Sequence, residues 1–177
     1  MMRGAPLRVA LFALLAVNAL VYAAAGRLSE GFDALAWYAL LLLYECETRW
    51  PLRMRREPVA TVAGLLRLFA GAAVVYAAVA FVHEREWLDA LNAWLWIGVV
   101  IVLELEIRLA SRVARHARLV TRVSYALYAA LAGVALTWLL RGEWFDAWDA
   151  ALWIAAFALI ELELMPGPQN RRDLPGG

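Results

Sequence analysis

The sequence predicts an all-α integral membrane protein: six transmembrane helices arranged as three parallel two-helix hairpin repeats, with pseudo-threefold symmetry about the membrane normal. Three observations predict it. The 177 residues are 64% apolar, with a mean hydropathy of +0.64, where soluble domains run at about 45–50% apolar. A chain this short has too high a surface-to-volume ratio to hide that much apolar surface from water. Six apolar stretches each approach the roughly 20 residues that a helix needs to span a bilayer. A motif of Trp and acidic residues recurs three times along the chain.

The first stretch, Leu7–Ala25, is flanked by Arg3 and Arg8. Its basic start and its Ala23-Ala24-Ala25-Gly26 end also fit a cleavable signal peptide. Removing it would leave the first hairpin half-built, so it is read as a retained span. The second stretch is Ser29–Thr48, and the third, Val59–Val82, follows an Arg-rich connection. Trp87–Ile107 and Leu119–Leu140 flank a second basic connection, and Trp144–Leu164 closes the set. Residues 1–165 are thus expected to form one transmembrane domain, with repeats at approximately 7–49, 59–108 and 119–164. Residues 166–177, rich in Pro, Gly and Arg, read as a flexible cytoplasmic tail.

The repeat rests on charged positions, because apolar helices resemble one another by chance. Glu86-Trp87-Leu88-Asp89-Ala90 recurs as Glu143-Trp144-Phe145-Asp146-Ala147, and the copies match at 11 of 21 positions through Glu106 and Glu163. The first copy keeps Asp33-Ala34, Trp37 and Glu45-Cys46-Glu47. Its equivalents are Asn92-Ala93, Trp96, Glu104 and Glu106, then Asp149-Ala150, Trp153, Glu161 and Glu163. Two helices per copy give every copy the same orientation, so the repeats are parallel.

Arginine sets the expected topology. All 17 basic residues are Arg, and 14 fall on one side of the predicted membrane. The positive-inside rule puts that side, and both termini, in the cytoplasm, as for a bacterial inner membrane protein. Trp87, Trp94, Trp96, Trp138, Trp144 and Trp148 cluster toward the other side, where an interfacial aromatic belt would sit. A net charge of +1 carries no footprint for nucleic acid. The single cysteine, Cys46, excludes an intrachain disulfide.

The candidate sites are the Glu-x-Glu pairs: Glu45 and Glu47, Glu104 and Glu106, Glu161 and Glu163. A charge deep in a membrane costs about 2.5 kcal/mol or more, so repeated acids demand a compensating attraction. Residues two apart on a helix point roughly 200° apart, so the two members of a pair face differently. One reading makes these carboxylates ligands or proton acceptors of a cation channel or transporter, with a divalent cation as the candidate bound ion. The alternative is a non-catalytic scaffold or accessory subunit in which Arg8, Arg67 and Arg122 pair with Glu45, Glu104 and Glu161 as structural staples. Arg108, Arg112, Arg115, Arg118 and Arg122 occupy one arc of about 120° on a helix. They are expected to meet anionic lipid headgroups or a protein partner, which includes further copies of the chain. The two His are predicted on opposite sides of the membrane, and no catalytic constellation is present, so no enzyme activity is expected.

Overall fold

The structure, a computed structural model, describes residues 5–108 and 116–164. The described chain is helical, with no strand among the described residues. Helices α1 (Ala5–Ala25) and α2 (Leu28–Arg49) form the first hairpin. A short α3 (Pro51–Met54), which the apolar pattern does not announce, starts at a proline well suited to a first helical turn. Helices α4 (Val59–His83) and α5 (Trp87–Arg108) form the second hairpin, and α6 (Ala117–Arg141) and α7 (Trp144–Leu164) the third. The long helices begin and end within two residues of the expected stretches, because Gly26, the Glu84–Glu86 turn and Gly142 punctuate the apolar runs. Three helices, α1, α4 and α6, are long and apolar enough to cross a membrane. Helices α2, α5 and α7 have 21 or 22 residues and carry acidic residues toward both ends.

The six long helices pack in one closed ring in the order α1, α2, α4, α5, α6, α7 and back to α1. Small residues bring the hairpin helices together, since they let backbones approach closely in an apolar medium. Ala77 and Ala78 of α4 are fully buried against Ala90 and Ala93 of α5. Ala147 and Ala150 of α7 take the matching places against Val134 and Trp138 of α6. In the first hairpin Gly31 stands where the others have Ala. A Cβ there would lie 3.1 Å from the Cα of Ala23. Leu11 and Leu15 of α1 pack with Leu41, Leu152 and Ala156, which joins the first hairpin to the last. Large apolar side chains such as Leu68, Phe69 and Tyr125 point outward and are about 70% exposed.

Two of the six expected belt tryptophans are not on the outside. Trp96 and Trp138 are 5% and 4% exposed and face the ring interior. Trp87, Trp94, Trp144 and Trp148 remain exposed. Distance along the chain places all six near one end of the bundle, but only helix rotation separates inward from outward faces.

Candidate functional site

Helices α2, α5 and α7 each start with an acidic residue, a second polar residue three positions on, and a Trp four beyond that. The sets are Glu30, Asp33, Trp37; Asp89, Asn92, Trp96; and Asp146, Asp149, Trp153. Positions i, i+3 and i+7 span only about 60° of a helix, so each set shares one face. Those faces converge on a cavity of about 60 Å³ at the end of the bundle that carries the hairpin turns. Residues fifteen positions before each Trp complete the wall: Tyr22 from α1, Phe81 from α4 and Trp138 from α6. Twelve of the fourteen lining residues therefore fall into four sets of three, at fixed offsets from a Trp; Ala34 and Ala150 are the other two.

The floor is aromatic. The ring centroids of Trp37, Trp96 and Trp153 are 6.4, 6.4 and 6.5 Å apart, a nearly equilateral triangle of tilted and edge-on contacts. Phe157 lies 4.8 Å from Trp96. Such separations are those of favourable aromatic pairs. The Trp37 indole N–H donates to Asp33 Oδ1 at 3.1 Å, which ties the floor to the acidic layer above it.

The acids hold together the seams between hairpins. Asn18, 4% exposed, donates to Asp149 at 2.8 Å, and the Tyr22 hydroxyl donates to Asp146 at 2.7 Å. Both bonds run from α1 to α7. Arg27, in the first turn, forms ion pairs with Glu30 at 2.6 Å and Asp89 at 3.1 Å, and a third with Glu86 of the second turn. Burial works against the Arg27 charge, but the hydrogen bonds and charges of Glu30 and Glu86 outweigh it. They hold the guanidinium above the usual arginine value. Ser29, 2% exposed, donates to Glu84 at 2.7 Å across the same seam. Five carboxylates line the cavity. Among the described residues Arg27 is the cation in ion-pair contact with them. The Oδ1 atom of the sixth polar residue, Asn92, is buried without a hydrogen-bond partner. Among the described residues no group of three His, Cys, Asp or Glu side chains is gathered to hold a metal ion.

The sequence-predicted carboxylates lie at the opposite end. Glu45 pairs with Arg8 at 2.6 Å, both side chains about 14% exposed, and with Arg49 at 2.6 Å on its own helix. Glu47 pairs with Arg67, so this arginine of the second hairpin reaches into the first. Cys46 lies between them, partly buried. The side chains of Glu104, Glu106, Arg108, Glu161 and Glu163, and all of Arg112 and Arg115, lie outside the described residues. Arg118 and Arg122 are exposed near the start of α6. The cavity was legible in part: Asp33, Asn92, Asp149 and the three Trp stand out as repeat markers. What sequence reasoning missed was Glu30, which joins the motif residues Asp89 and Asp146 in an acidic layer one turn earlier, and the layer of Tyr22, Phe81 and Trp138. The i, i+3, i+7 pattern on all three helices is the signal that finds the first of these. No protein-family model, curated protein or solved structure matches the chain.

Proposed function

We propose that this chain is a small cation channel or transporter for protons or small cations, and that the cavity at the turn end receives the cation. The observation that carries this reading is the charge imbalance: among the described residues, five lining carboxylates face one guanidinium at the rim. Like charges in a confined, poorly solvated space repel, and either protons or a mobile cation relieve the cost. This moves the cation chemistry from the Glu-x-Glu pairs, two of whose members are held by arginine, to the aspartates at the other end. The Trp triangle then closes the path below the cavity, so passage requires the three indoles to part.

The same reading has all six long helices crossing the membrane as three hairpins about a threefold axis. Its supports are the alternation of α2, α5 and α7 with the three apolar helices in one ring, the near-equilateral Trp triangle, and the threefold recurrence of the acidic, polar and aromatic lining positions. The arginine-rich end faces the cytoplasm, as in a bacterial inner membrane. Arg108, Arg112, Arg115 and Arg118 then meet anionic headgroups there.

The test is ion flux into liposomes reconstituted with the purified chain. Asp33→Asn and Asp149→Asn should each lower flux at least tenfold, while Glu47→Gln leaves it unchanged. Wild-type liposomes that pass neither protons nor monovalent cations would reject the proposal. A scaffold reading is favoured by one observation, the Arg8–Glu45 pair, which fastens α1 to α2. It expects Glu45→Gln to lower stability and no variant to alter permeability.

A further inference from the structure

We infer that the cavity is a binding site for a small organic ammonium cation, a protonated amine with a short apolar body, rather than for a bare metal ion. The inference rests on the reading of this cavity as a cation site and names its ligand class. Three features carry it. The first is the aromatic wall. Tyr22, Phe81 and Trp138 line the space in the wall, and Trp37, Trp96 and Trp153 form its floor. Ring faces attract cations through their quadrupole, most strongly for Trp, and ammonium groups exploit this through their exposed, weakly hydrated alkyl surface. A strongly hydrated inorganic ion would gain little from six rings and would lose its water.

The second feature is the arrangement of the oxygens. The carboxylates are spread around the wall and each is held by a different neighbour or shared with the rim: Asp33 by Trp37, Asp146 by Tyr22, Asp149 by Asn18, and Glu30 and Asp89 by Arg27. They are not gathered as a coordination shell. Spread acceptors suit a ligand that donates several N–H bonds in different directions. The third feature is Asn92. It replaces the Asp of the other two repeats, and its carbonyl oxygen is buried with no donor. A buried acceptor without a donor is a standing cost, and an ammonium N–H supplies the missing partner. A cavity of about 60 Å³ has room for roughly four to six water-sized groups, since each needs about 10–15 Å³ of such volume. The ligand is therefore a small amine, and methylammonium is the simplest probe of the class.

The experiment uses the full chain in detergent and reads its melting temperature against methylammonium chloride, with potassium chloride at equal ionic strength as the control. A ligand that binds only the native state raises the melting temperature as its concentration passes Kd. Methylammonium should stabilise the wild type and potassium should not. Asn92→Leu should weaken the methylammonium effect about tenfold. Phe81→Leu, which keeps an apolar side chain at the wall, should weaken it severalfold and serves if Asn92→Leu does not fold. An equal shift from potassium would overturn the ammonium assignment and leave the cation reading standing. So would a methylammonium shift that survives both substitutions, because the ligand would then bind elsewhere. No shift from either salt overturns the inference, and liposome flux then decides the broader reading separately.

Discussion

Replacing Arg27 by Gln should cost the bundle about 1–3 kcal/mol, and the structure shows why. Arg27 sits in the α1–α2 turn and reaches Glu30 of its own hairpin and Glu86 and Asp89 of the next. It is thus one fastener for two contacts across the seam. Its side chain is 38% exposed, so solvent screens it and each pair contributes about 0.3–1 kcal/mol, not the value of a buried bridge. Three pairs give the estimate. Their loss also leaves three neighbouring carboxylates without the charge between them. For a chain of this size about 1 kcal/mol moves the melting temperature by about 2–4 °C, so a fall of about 2–12 °C is expected. The assay is thermal unfolding in detergent, followed by tryptophan fluorescence. Arg27→Lys should recover only part of the loss, because an ammonium cannot engage Glu30 and Asp89 as a fork does. Adding Glu86→Gln to Arg27→Gln should regain stability by relieving repulsion. The reasoning is refuted if Arg27→Gln melts with the wild type, or if the double variant is less stable than the single.

Arg85 adopts a left-handed conformation, φ 62°, where the third hairpin has Gly142 at φ 82°, and both turns close with the same hydrogen-bond pattern. Arg85→Gly should therefore stabilise the chain by roughly 1 kcal/mol, read as a higher melting temperature. Ala77 has no exposed surface against α5, so Ala77→Leu should force the second hairpin apart and destabilise by about 1–3 kcal/mol in the same measurement. In a Cys46-free background, cysteines placed at positions 53 to 56 should react with reagents added from the cytoplasmic side only. Reaction from outside would reverse the proposed orientation.

The sequence by itself determined the class and the lengths of the long helices. Hydrophobic runs, their Gly and charged punctuation, and helical rise are local properties, and they place each long helix within two residues. It also marked Trp and acidic residues at matching offsets in three stretches of the chain. What it could not determine was which partner an arginine chooses. Each first helix of a hairpin (α1, α4, α6) touches two second helices in the ring, its own and a neighbour's. Chain spacing alone assigned Arg67 to Glu104, whose side chain lies outside the described residues, and did not foresee the contact with Glu47 that the ring provides. Nor could it say which faces look inward. Trp96 and Trp138 have the composition and depth of belt residues, yet ring closure turns them onto the axis, where they share a cavity with five carboxylates. The physical reason is one of range. Helix formation is settled by neighbours within a turn or two, whereas the rotation of each helix is settled by close packing of small residues such as Gly31, Ala90 and Ala147 against other helices. Only the assembled ring supplies that packing.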